Sequence, residues 1–122
     1  MAQQQVERSA IGDRRVRQAL CDLEQRLRAR YGERFIRLIL FGSRARGDDR
    51  PDSDADVAVV LRGPMVNRWA EKERIIDDTY AILLETGLYI QPWPIEDRAL
   101  LDPDSAPNPE LVRAIIRDGV RP

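Results

Sequence analysis

The stretch "LFGSRARGDDRPDSDADVAVVL", Leu40 to Leu61, joins two apolar runs through a Gly-Ser pair, an arginine-rich turn and an Asp-X-Asp pair. The first run, "FIRLILF" (Phe35 to Phe41), is rich in Ile and aromatic residues, carries Arg37 as its one charge and stops at Gly42. It reads as a buried strand. "ADVAVVL" (Ala55 to Leu61) is a second, β-branched run closed by Gly63-Pro64. The link between the runs is too short for a long crossover helix, so the strands are expected to be antiparallel, with room between them for a helical turn and a loop. Gly42-Ser43 then falls at the end of the first strand, and Asp54 and Asp56 at the start of the second, all toward one edge of a sheet.

That placement carries chemistry. A glycine lets a backbone approach a ligand closely, while amides and a hydroxyl at the following helical turn form a phosphate cradle. Two aspartates at i and i+2 on an extended strand point to the same face and can share hard cations through oxygen. Together these parts hold a nucleoside triphosphate by its phosphates and its magnesium ions. In a two-metal site one ion activates the attacking oxygen and the other stabilises the leaving pyrophosphate during in-line displacement at phosphorus.

Outward from the motif, Val16, Leu20, Leu23 and Leu27 recur at helical spacing, with Asp13 as N-cap and Gly32 as the stop. Downstream, Trp69, Ile76, Tyr80, Leu83 and Leu84 form a second helical stripe over about 67–86, with Gly87 placed as a C-terminal glycine. "LYIQPWP" reads as a short third strand ended by proline, and Asn108-Pro109 opens a last helix that Gly119 closes. The fold expected is α/β (α+β), a small mixed sheet flanked by helices, with residues 1–122 forming one domain.

Composition narrows the function. The 122 residues suit one small core, and Lys and Arg nearly cancel Asp and Glu to a formal charge of −1. No broad nucleic-acid or anionic-membrane surface follows from that balance, and direct nucleic-acid binding is not expected. The absence of histidine excludes His-based zinc sites and His-dependent triads, and the single cysteine, Cys21, cannot form an internal disulfide. "MAQQQVERSA" has no apolar signal core, and no apolar run approaches the roughly 20 residues of a membrane span. A soluble, unprocessed, cytoplasmic chain is expected.

Gly42-Ser43, the ten residues Arg44 to Ser53 and Asp54-Ala55-Asp56 reproduce a family's signature spacing, and "GSRARG" and "SDADVAVVL" extend the match. In these residues the chain resembles the minimal nucleotidyltransferases of the DNA polymerase β superfamily. The order of helix, strand, motif, strand, helix, strand, helix also resembles that family's minimal core. The resemblance implies a polymerase β-like nucleotidyltransferase fold, with Gly42, Ser43 and Arg44 binding nucleotide. It implies Asp54 and Asp56 as catalytic residues and magnesium ligands, with ATP as substrate and Mg2+ as cofactor. Small stand-alone members are commonly the antitoxin half of a pair whose toxin is an all-helical HEPN ribonuclease. Some silence that toxin by adding AMP to one of its tyrosines, so a hetero-oligomer with a HEPN-type toxin is implied.

Active members usually carry a third carboxylate on the third strand, where this chain reads Tyr89-Ile90-Gln91-Pro92. Gln91 aligns with the missing acid, and a glutamine ligates a metal weakly through its carbonyl but cannot serve as a base. Glu85, Glu96 and Asp97 are the acids that could substitute. A catalytically weak antitoxin that neutralises its toxin by binding is therefore the alternative, and a transferase acting on a small molecule or an RNA end is the third reading. Elsewhere the plainer readings hold. Asp48, Asp49 and Asp52 belong to a solvated turn, Trp69 and Tyr80 to core or interface, and Trp93 to core or a base-stacking platform. Cys21 reads as a buried helix residue, Arg46 as loop cover, and the arginines of the first helix as a solvated face.

Overall fold

In the first helix, α1 (Arg14–Tyr31), the Asp13 carboxylate accepts hydrogen bonds from the amides of Arg15 and Val16 at 2.8 and 3.4 Å. Those bonds satisfy donors that a helix start leaves without intrahelical acceptors. The computed structural model describes residues 13–47 and 54–122, so the turn acids Asp48, Asp49 and Asp52 lie outside the described residues. The chain continues through β1 (Phe35–Phe41), α2 (Ser43–Arg46), β2 (Ala55–Leu61), α3 (Arg68–Thr86), β3 (Ile90–Glu96) and α4 (Pro109–Asp118). Asn67 caps α3 and Asn108 caps α4, each through its side-chain oxygen. Gly87 takes the left-handed conformation that ends α3.

The strands form one sheet in the order β1-β2-β3, with β1 antiparallel and β3 parallel to β2. Alternation sorts their side chains onto two faces. One face carries Leu38, Leu40, Val57, Val59, Leu61 and Ile90, which pack with Val16, Leu20, Leu23 and Leu27 of α1 and Ile75 and Ile82 of α3. The other carries Phe41, Ala58, Val60 and Ile95, covered by Ile115 of α4. A sheet with helices on both faces is buried through its middle, which explains why β2 reads as an unbroken apolar run. No helix among the described residues is long and apolar enough to cross a membrane.

Three expectations are corrected. The α3 stripe of Trp69, Ile76, Tyr80 and Leu84 faces solvent, at 69, 41, 57 and 70% exposure, with Leu83 half-buried beside it. The buried face is Glu71, Ile75, Asp78, Thr79 and Ile82. Its acids are acceptable inside because α1 and its C-terminal turn supply partners. Tyr31 donates to Glu71 at 2.7 Å, Arg30 meets Asp78 at 2.8 Å, and Arg34 lies 3.5 Å from Glu71. Second, proline does not end β3, which runs through both Pro92 and Pro94. The two prolines fall at alternate positions of an edge strand, so both missing N–H groups lie on the edge away from β2. Third, Cys21 is exposed rather than buried, because it falls outside the α1 stripe of Val16, Ala19, Leu20, Leu23 and Leu27.

Candidate active site

The ends of β1 and β2 bring the motif together. Phe41 pairs with Asp56 across the antiparallel ladder, so the turn after Phe41 rises beside the start of β2. Gly42 there has φ +77 and ψ −155, a backbone region that only glycine populates readily. A Cβ on it would stand 2.6 Å from Asp56 Oδ2. Two separate constraints, backbone and contact, therefore require glycine at this position. Ser43 opens α2, and its hydroxyl has no hydrogen bond among the described residues.

Asp54 and Asp56 flank Ala55, whose own side chain is fully buried on the opposite face. Asp54 is exposed and Asp56 half-buried. Burial is the main influence on Asp56 and pushes its pKa above the ordinary carboxylate value; the neighbouring Asp54 charge adds to the push. Trp93 and Arg46 oppose it, the first by a hydrogen bond from its indole N–H to Asp56 Oδ1 at 3.3 Å. The parallel register places Gln91 directly beside Asp56. Paired residues on neighbouring strands share a face, so the site's donors are two carboxylates with a carboxamide next to them. That all-oxygen set suits Mg2+, a hard cation that takes one or two carboxylates and completes its shell with substrate phosphates and water. No cluster of three acidic, histidine or cysteine side chains suited to a metal occurs among the described residues.

A family model for the nucleotidyltransferase domain matches residues 20–97, which run from within α1 through β3 and include every motif residue. The chain belongs to the nucleotidyltransferase domain family. Among solved structures, a toxin-antitoxin crystallised with AMP-PNP is similar, with TM-score 0.53 and 18% identity over 81% of this chain and 68% of that one. A second is a nucleotidyltransferase candidate from Sulfolobus solfataricus, with TM-score 0.46 and 18% identity over 88% and 84% of the two chains. At such identity the first likeness is one of fold. No curated protein matches.

Several residues of this nucleotidyltransferase domain make contacts beyond the aspartate pair. Arg44, expected at the phosphates, points inward; it is 5% exposed, and its guanidinium lies 3.8 Å from Asp13. Arg46 reaches Asp118 of α4 at 3.1 Å, tying the motif turn to the last helix. The acids named as substitutes for the third carboxylate are elsewhere. Glu85 lies 3.6 Å from Arg26 of α1. Glu96 pairs in register with Leu61 at the far end of β2, five residues or about 16 Å along β3 from Gln91. Asp97 follows it and accepts from the amides of Gly63 and Arg98. Two contacts near the site are not visible in the sequence, the Trp93 bond to Asp56 and the Lys72 ammonium over the Trp93 ring. Trp93 becomes legible once the register of β3 is fixed, since it lies two residues beyond Gln91. Lys72, whose Nζ sits 4.4 Å from the Trp93 ring centroid, carries no local sequence signal.

Proposed function

We propose that this nucleotidyltransferase domain transfers AMP from Mg-ATP to a tyrosine hydroxyl of a partner toxin of the HEPN type, as the antitoxin of the pair. The observation that carries the reading is the packing of Asp56 against Gly42, with Asp54 two residues earlier, immediately before the same strand. The Gly42-Ser43 turn faces the phosphates, with the Ser43 hydroxyl as a donor to them. Asp54 and Asp56 hold the magnesium that accompanies the nucleotide. When bound, that cation neutralises phosphate charge and favours loss of pyrophosphate. The tyrosine oxygen forms a bond to the α-phosphorus, the bond from that phosphorus to the bridging oxygen of pyrophosphate breaks, and the hydroxyl proton passes to solvent. Arg44 supports the turn from beneath through its charge toward Asp13.

Partner binding is supported by the outer face of α3. Trp69, Ile76, Tyr80 and Leu84 recur along one helix side and leave large apolar groups exposed, the kind of surface that a protein partner covers. The toxin-antitoxin among the structural neighbours supports the same assembly. The compartment consistent with this role is the cytoplasm, and residues 1–122 act as one nucleotidyltransferase unit.

A second reading has its own observation. Gln91 stands beside Asp56 in register, and a carboxamide accepts no proton at neutral pH. On that reading the domain binds nucleotide and toxin but does not transfer. Incubation of the chain with the neighbouring gene product and ATP labelled at the α-phosphate separates the two. Label on a partner tyrosine, lost with Asp54→Asn, supports transfer. Toxin neutralised by stoichiometric complex formation without label supports the second reading and contradicts the first.

A further inference from the structure

Trp93 makes two contacts that its position on an edge strand does not require. Its indole N–H donates to Asp56 Oδ1 at 3.3 Å, and the ammonium of Lys72 stands over its ring, 4.4 Å from the centroid. The ring also packs on the second core, beside Ala58 and Ile95. One face of the indole therefore lies under a cation while the side chain packs on the core. The N–H points back along the sheet toward the carboxylate, even though Trp93 pairs in register with Ala58 and it is Gln91 that pairs with Asp56.

Asp56 is thereby bracketed. One oxygen accepts from the indole, and the other lies where a Cβ on Gly42 would stand only 2.6 Å away. A carboxylate has about four acceptor directions on its two oxygens, so a single N–H donor leaves most of them open toward the motif turn. The indole N–H is the side-chain hydrogen bond that Asp56 has among the described residues, with Oδ2 turned toward Gly42. Lys72 adds a cation–π contact on one face of the ring.

We infer that Trp93 is a positioning residue for Asp56: its indole N–H holds Oδ1 so that the carboxylate meets the divalent cation in one orientation, and Lys72 holds the indole. This rests on the reading of Asp56 as a metal ligand. Donors that orient a ligand in this way typically contribute about tenfold or more to metal affinity.

The test uses Mn2+ alone, with no nucleotide, and the full chain. The sequence has two tryptophans, so Trp69→Phe leaves Trp93 as the only indole. Paramagnetic Mn2+ is titrated while the free ion is counted by electron paramagnetic resonance and Trp93 emission is followed. Emission is expected to fall in step with bound Mn2+, and Asp54→Asn with Asp56→Asn should remove both signals. Trp93→Phe, which keeps an aromatic ring but no donor, should weaken Mn2+ binding about tenfold. Mn2+ bound at the aspartate pair with Trp93 emission unchanged, or bound by Trp93→Phe at wild-type affinity, overturns the inference and leaves the metal reading standing. Absence of Mn2+ binding by the wild type at millimolar concentration contradicts both. Should Trp93→Phe fail to fold, the emission titration decides alone.

Discussion

The two ends of the sheet are built from the same parts and use them differently. At one end Gly42 is pressed by Asp56; at the other a Cβ on Gly63 would stand 2.9 Å from Glu96 Cδ. Each pair sets a glycine against a carboxylate from the adjacent strand. At the Gly63 end the acid is fully engaged: Glu96 accepts from the Met65 amide at 2.8 Å and lies 3.5 Å from Arg98, while Asp97 accepts from Gly63 and Arg98. At the Gly42 end Asp54 has no hydrogen bond or ion pair among the described residues, and Asp56 has the Trp93 indole alone. A cavity of about 570 Å³ lies at the Gly63 end, lined by Met65, Ile95, Glu96 and Leu111 among others, and none of the motif residues borders it. Size therefore does not mark the chemistry. Carboxylate oxygens held in place yet not consumed by the protein's own donors do.

That contrast is broken most severely at the glycines. Gly42→Ala forces a side chain into a backbone region that costs about 1–3 kcal/mol, and drives its Cβ into a carboxylate already held by Trp93. A loss of about 2–3 kcal/mol in denaturant melts is expected, together with loss of any stabilisation by Mg-ATP. Gly63→Ala meets Cγ and the carboxylate of Glu96, which must shift against its bond from the Met65 amide, but it has no positive φ, so a smaller loss of about 1 kcal/mol is expected, with Mg-ATP stabilisation intact. Equal losses in the two variants would remove the distinction between the ends.

Glu96→Gln gives a smaller effect. The carboxamide still accepts from the Met65 amide, and the ion pair that disappears, with the exposed Arg98, is of a kind that contributes about 0–1 kcal/mol. Thermal melts should shift by a few degrees at most, and AMP transfer should be unchanged. Loss of transfer would place Glu96 in the chemistry and contradict the separation of the two ends.

The smallest effect has the opposite sign. Burial raises the Asp56 pKa in the folded chain, so the folded state binds its proton more tightly than the unfolded state. Stability from this group is present at low pH and falls as pH rises through the carboxylate range, leaving the ionised form a net cost at neutral pH. Asp56→Asn removes that cost and still accepts from Trp93, so the metal-free chain should melt slightly higher at pH 7, with the gain vanishing near pH 3. A lower melting temperature at pH 7 would show that the Asp56 charge supports the fold instead.

Much of this was readable from the chain because local chemistry set it. Asp13, Asn67 and Asn108 supply caps, Gly32 and Gly87 stop helices, and the Gly42 to Asp56 spacing places the motif between two strands. The α3 face was not readable. A hydrophobic stripe selects Trp69, Ile76, Tyr80 and Leu84, whereas the packed side mixes Ile75 and Ile82 with Glu71 and Asp78, which Arg30, Tyr31, Arg34 and Arg74 make acceptable. The β3 register was equally hidden, since Pro92 and Pro94 suggest an end where an edge strand tolerates them. Without it neither the place of Gln91 beside Asp56 nor the Trp93 contact can be deduced. The inward turn of Arg44 brings it to Asp13, thirty-one residues earlier, and has no local sign.

The central claim is that the Gly42 end holds a nucleotide with its metal, and melting with and without Mg-ATP tests it most directly. Ligand at about a hundred times Kd adds roughly 2.7 kcal/mol to stability. The wild type should therefore melt several degrees higher in saturating Mg-ATP, and Asp54→Asn with Asp56→Asn should abolish the gain while leaving the metal-free melt near or above that of the wild type. An unchanged wild-type melt at millimolar Mg-ATP, or a gain that survives in the double variant, would contradict the claim.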